Sequence, residues 1–179
     1  GKATNLRFID SSEREQSRVM INAWVEAQTS NKIREILKPD ALSSDTRLVL
    51  TNAIYFKGDW QTQFDKGATK EEDFKITPEK KVKVQMMRLT GKMIGAGFKY
   101  PEFKYVETDD LQAIELPYDG SELSMLILLP KDSLESVERT LNYERIKNIR
   151  EKLENYPVEV YMPKFKLERE YLLNSTLIK

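Results

Sequence analysis

The residues able to do chemistry in this chain are carboxylates, lysines, amides and two tryptophans. Histidine and cysteine are both absent from its 179 residues. That removes thiolate nucleophiles, Ser-His-Asp and Cys-His machinery, disulfides, and histidine or cysteine metal sites from this sequence. The densest acidic clusters are Glu71, Glu72 and Asp73, and Asp109 with Asp110 after Thr108. An acid/base pair needs apolar shielding to shift its protons, and both clusters lie in charged stretches, so they read as solvated loops between strands. Residues 91–97, GKMIGAG, are glycine-rich, but the lysine follows the first glycine and no helix pattern comes after. They read as a bent strand rather than a phosphate loop. Lys75, Lys80, Lys81 and Lys83 flank alternating apolar residues and read as the wet side of a strand. No residue is assigned a catalytic, cofactor-binding or metal-binding role, and no cofactor is expected.

What remains is Asn52. Residues 46–64, TRLVLTNAIYFKGDWQTQF, place Leu48, Leu50, Ile54, Phe56 and Trp60 on one face at a period of two, with Asn52 in the middle. A carboxamide on an apolar stripe needs partners or costs about 1–3 kcal/mol, so a structural hydrogen-bond network around Asn52 is expected. The second face, Val49, Thr51, Ala53 and Tyr55, is also fairly apolar. A strand apolar on both sides is expected to be covered on both. Gly58 and Trp60 then mark a sharp change of path, a packed hinge.

The surrounding elements follow from periodicity. Residues 5–9 read as the tail of a strand. Ser12 and Glu15 fit a capping box at the start of an amphipathic helix carrying Met20, Trp24 and Ala27. That spacing puts Trp24 in the core. An apolar tail at Ile33, Ile36 and Leu37 precedes Lys38 and Pro39, which end the element. Val82, Val84 and Met86 alternate with polar residues as a half-buried strand. Residues 93–105 read as strand with bends. Residues 113–117 and 123–129 flank a turn at 118–121, a hairpin whose second arm is nearly all apolar and expected to be deeply buried. Two short helices follow. Asp132 and Glu135 start the first, with Leu134, Val137 and Leu141 on its face. Asn142 caps the second, with Ile146, Ile149 and Leu153, and Tyr156–Pro157 stop it. Val158, Val160 and Met162 form a further strand, Phe165 and Leu167 begin another, and residues 171–179 start a helix with no stop signal.

Lysine plus arginine and aspartate plus glutamate each number 29, so charge gives no pull toward nucleic acid or an anionic membrane. The longest apolar run, residues 125–129, is far below the roughly 18 residues of a membrane helix. Residues 1–4 carry neither an initiator methionine nor a hydrophobic leader, and both ends are expected to be cut. The compartment stays open, since absence of cysteine fits either redox environment. Composition and pattern together give an α+β fold without an internal linker.

Five segments in this order resemble the serpins, a family of conformationally active protease inhibitors. Residues 22–33, NAWVEAQTSNKI, are similar to the end of the helix lying across the main serpin sheet. Residues 46–64 resemble the central strand beneath it and the exit toward a second sheet. VQMM at 84–87 resembles the start of a strand there. IELPYDGSELSMLILLP at 114–130 resembles the hairpin of the third sheet. PKFK at 163–166, with Glu168, Tyr171 and Leu177, resembles a late strand and the helix after it.

The resemblance implies a multi-sheet α+β fold, with residues 1–179 forming the central part of one serpin domain. It implies that Asn52 lies at the shutter, where the main sheet parts. It places Trp60 at the breach, where insertion begins, and Trp24 on a helix that gives way. It implies a protease partner, serine with cysteine as the second class, and a need for the remaining serpin segments to complete the fold. The bait bond of the reactive loop is expected to lie outside this chain. Residues 89–110 are longer than the family commonly has. The alternatives are a non-inhibitory serpin acting as carrier, chaperone or regulator, and an unrelated α+β binding module. An enzyme fits least.

Overall fold

The computed structural model describes residues 3–77 and 79–166. Its contacts divide the chain into two units, Gly1–Lys57 and Gly58–Lys179.

The first unit is built on one helix, α1 (Ser11–Gln28). Its start is two residues earlier than the Ser12–Glu15 signal indicates: Asp10 is the N-cap and accepts from the Glu13 N–H at 2.8 Å. Residues 5–9 carry no strand. They are instead tied to the helix by the Ser17 hydroxyl, which donates to the Arg7 carbonyl at 2.8 Å, and by Arg14, which donates to the Ile9 carbonyl at 2.8 Å. The helix ends at Gln28, and the stretch with Ile33, Ile36 and Leu37 is not helical. Ser30 and Asn31 adopt φ of 49° and 63°, which a right-handed helix cannot continue through. The buried stripe is Ser17, Ile21 and Val25, not Met20 and Trp24, which are exposed. The spacing of four was right, but its phase was one residue off, because a serine hydrogen-bonded to backbone buries as readily as an apolar residue.

The second unit holds the sheets. β1 (Lys70–Lys75), β2 (Lys81–Leu89) and β9 (Val160–Pro163) form an antiparallel three-stranded sheet with β2 central. β3 (Lys92–Ile94) and β4 (Gly97–Lys99) form a separate hairpin, turning at Gly95 with φ of 61°. β5 (Glu102–Glu107), β6 (Leu111–Pro117), β7 (Ser124–Pro130) and β8 (Glu154–Pro157) form a four-stranded sheet in the order β7-β6-β5-β8. The β6–β7 register, Ala113 opposite Leu128 and Leu116 opposite Met125, is the hairpin expected from the turn signal.

β6 is apolar on both faces because both are covered. Leu116 belongs to a cluster with Phe103, Leu89 and Val160, joining the two larger sheets. Leu111 and Ala113 point the other way, onto Val137 of α2 (Leu134–Glu138) and Ile149 of α3 (Tyr143–Glu151). The second arm, β7, is only half-buried, with Leu129 at its exposed end. Among the described residues it is an edge strand, so its apolar run has a neighbour on one side.

Three further expectations change in detail. Glu71, Glu72 and Asp73 lie in strand β1, not a loop; Asp73 faces Lys83 in register and pairs with it at 2.6 Å, and Glu72 pairs with Arg88. Ser133, rather than Asp132, caps α2, while Asn142 does cap α3, accepting from Arg145 N–H at 2.8 Å. α3 stops at Glu151, and residues 154–157 form β8, an edge strand too polar to announce itself by alternation. No strand begins at Phe165. Leu167 and the helix expected at residues 171–179 lie outside the described residues.

Asp110, in the β5–β6 turn, ties that turn to α3. Its carboxylate accepts from Arg145 and, at 2.9 Å, from the Thr108 hydroxyl, which hold its pKa below the usual aspartate range. A carboxyl that titrates lower folded than unfolded contributes its full stabilisation above the unfolded pKa of about 4 and loses it as pH falls through the folded value. Asp110→Asn should therefore flatten the loss of stability between pH 5 and pH 3, read from urea midpoints of the full-length protein. Parallel pH curves for parent and variant would count against the pair.

Candidate functional site

The segment that carries Asn52 is assigned neither helix nor strand, and no described strand pairs with it from residue 47 to residue 58. Its two faces differ. Val49 and Ala53 are half-buried and share a cleft with Met20, Ile21 and Trp24 of α1. The helix thus covers one face, as expected. The other face is bare: Leu48, Leu50 and Ile54 are 72%, 86% and 79% exposed, and Phe56 is 51% exposed. The expectation of cover on both sides is not met among the described residues. Apolar side chains in such a row gain roughly 25 cal/mol per Å² when a neighbour covers them.

Asn52 lines the same cleft as Trp24. Its own side chain is exposed and makes no hydrogen bond among the described residues. The expected amide network around it is therefore absent here. Trp24 is 40% exposed rather than core.

The buried amide of this unit is Asn22. It donates to the Leu37 carbonyl and accepts from the Leu37 N–H, both at 2.9 Å, and so pins the segment after α1 against the helix. Thr29, 1% exposed, adds a second pin, donating to the Val25 carbonyl at 2.8 Å and accepting from Ile33 N–H at 3.1 Å. The signal for Asn22 was the one used for Asn52: a carboxamide beside apolar stripe residues, here Ile21 and Val25.

Trp60 belongs to the second unit and is half-buried. It forms a bridge with Tyr118 at the end of β6 and stacks on the Tyr118 ring at 4.5 Å with planes 12° apart. Phe64 meets it edge-on at 6.3 Å. Backbone bonds from Gln61 N–H to the Pro117 carbonyl (3.0 Å) and from Asp119 N–H to the Asp59 carbonyl (2.8 Å) stitch residues 59–61 to the hairpin. The ring packs on the cluster of Leu89, Phe103, Leu116 and Val160. Trp60 is thus packed, as expected of the aromatic after Gly58.

In the acidic clusters Glu72, Asp73 and Asp110 are paired with Arg88, Lys83 and Arg145. Asp73 is held below the usual aspartate range by Lys83, and Glu107 below the usual glutamate range by Lys131 and the Tyr105 hydroxyl. Among the described residues no group of three or more acidic side chains is placed to hold a metal ion. No described helix is long and apolar enough to cross a membrane.

Together these features define an α+β protein of antiparallel sheets and short helices, with an amphipathic helix lying over an extended segment whose second face is uncovered. A family model described as "Serpin (serine protease inhibitor)" matches residues 3–179, and the chain belongs to the serpin family. An uncharacterised serpin-like protein of Methanosarcina acetivorans is 40% identical, covering 100% of this chain and 40% of its own length. Antichymotrypsin-2 of Bombyx mori is 36% identical over 97% of this chain and 45% of its length. Emu ovalbumin superimposes with a TM-score of 0.84 at 35% identity, over 97% of this chain and 43% of that one. The chain thus spans less than half the length of these relatives.

Proposed function

We propose that residues 1–179 are the central part of one serpin domain, and that the intact protein is a suicide-substrate inhibitor of serine endopeptidases, with cysteine endopeptidases the second class. On this reading the protease cuts an exposed loop outside this chain. It is held as the acyl-enzyme when that loop enters the main sheet as a new strand, and the protein itself turns nothing over. The observation that carries the reading is the segment at residues 46–57, covered by α1 on one face and bare on the other. A sheet that must admit a strand needs such a floor, and needs two packings of one sequence separated by a modest free energy. The name of the Bombyx mori relative, antichymotrypsin, supports serine endopeptidases as the first class.

In this scheme Asn52 is a shutter residue, Trp60 marks the breach, and Trp24 rides on the helix that yields. Asn52 is exposed among the described residues, and on this reading its partners lie outside them. Asn52→Ala in the full-length protein is expected to lower the barrier to sheet opening and to raise the polymerisation rate at a temperature below unfolding. Unchanged unfolding and polymerisation rates would remove Asn52 from the lock.

The direct test mixes the full-length protein with trypsin-like, chymotrypsin-like and papain-like proteases. An SDS-stable covalent adduct is the expected product. Loop cleavage without an adduct would instead favour a non-inhibitory carrier, chaperone or regulator. That second reading draws support from the likeness to emu ovalbumin, whose name carries no protease.

A further inference from the structure

The β3–β4 hairpin lies within the long segment 89–110, and its geometry serves more than a turn. Lys92 and Lys99 are directly opposite each other in register. Residues opposite in an antiparallel pair point to the same face, so two ammonium groups are set side by side, an arrangement that is destabilising without an anion between them. Among the described residues neither has an ion-pair partner. Phe98 points to the other face, and its ring lies so close over Gly91 that a Cβ there would fall 2.1 Å from the ring. It also meets Tyr100 edge-on at 5.1 Å, which braces the hairpin in this position.

Lys92, Lys99 and Arg88 line one cleft of about 350 Å³, together with Leu89, Ile94 and Pro101. Asp65 is the one carboxylate of the lining, and it already accepts from the Gly67 N–H at 2.8 Å. Arg88 pairs with Glu72 and lies over the Tyr161 ring at 5.4 Å, yet its Nε is buried with no hydrogen-bond partner. The cleft therefore combines an apolar wall with surplus positive charge. Its volume is in the range of small-molecule sites, which are apolar with a few convergent polar groups.

We propose that this cleft binds a small amphipathic anion, a carboxylate or similar head group on an apolar chain. The head group sits between Lys92 and Lys99, and the chain lies along Leu89, Ile94 and Pro101. A bare inorganic anion would leave the apolar wall exposed, and a neutral lipid would leave the two ammonium groups facing each other.

Calorimetric titration of the full-length protein with decanoate tests this, with decanol and inorganic phosphate as the other arms. One decanoate per chain is expected, bound at least tenfold more tightly than either control. The double variant Lys92→Gln/Lys99→Gln should weaken decanoate at least tenfold and, without ligand, melt higher than the parent, because the facing charges are gone. Ile94→Asp, a substitution at an exposed wall position, should abolish decanoate binding and leave the fold intact. No decanoate binding by the parent, equal binding by the double variant, or decanol or phosphate matching decanoate would each overturn the proposal.

Discussion

Leu111→Ala should destabilise the full-length protein by about 3–4 kcal/mol, the cost of deleting a fully buried leucine and leaving most of its cavity. Leu111 is 0% exposed and sits where β6 meets both short helices, against Ala113, Val137 and Ile149. Ala113, its neighbour on the same face, is too small to fill the space, and α2 and α3 are held by short loops that limit collapse. The helices should therefore loosen along with the strand. Urea unfolding gives the stability change, and hydrogen exchange at the amides of α3 gives its location. A change below about 1 kcal/mol, the cost of a surface substitution, would mean that the helices do not pack on β6 as described.

Trp60→Ala should cost about 3 kcal/mol, the low end for a large aromatic because Trp60 is only half-buried, with the stacked pair contributing part of it. The loss has two sources. The ring covers Leu89, Phe103, Leu116 and Val160, and its stacking on Tyr118 fixes where the chain leaves the extended segment and joins the β6–β7 turn. Trp60→Phe keeps an aromatic face against Tyr118 and should lose less than half as much. If the breach assignment holds, Trp60 emission changes on loop cleavage in a Trp24→Phe background. A constant signal through cleavage would leave Trp60 as a packing residue only.

Much of the second unit was legible in the sequence. The hairpin at 111–130 carries its turn residues and apolar arms in plain order, and Gly120 and Ser121 supply the positive φ that the turn demands. β2 alternates cleanly as far as Met86, where one face is covered and the other wet, and then has both faces covered as Leu89 enters the core. β1 and β8 were not legible, because strands held by cross-strand ion pairs or by edge pairing need no apolar period. The candidate site divides in the same way. Trp60 was found because a glycine and a large aromatic at a change of path leave a local mark. Asn22 was missed although its signal matched that of Asn52, because the phase of α1 was set by Met20 and Trp24, two large side chains that stay exposed.

The sequence by itself determined the α+β class, the hairpin and its turn, the cap at Asn142, and, through five ordered segments, the serpin resemblance. Each is a local property: periodicity, turn chemistry or a run of adjacent residues. The tertiary structure decided which apolar faces are covered. Residues 46–57 and β6 look alike as apolar strands, yet β6 is buried on both sides and residues 46–57 on one, since cover depends on which distant elements arrive. It also decided that, of Asn22 and Asn52, Asn22 is the one hydrogen-bonded among the described residues, and that Lys92, Lys99 and Arg88 share a cleft. Register and chain path set those meetings, and neither is written in any single stretch of residues.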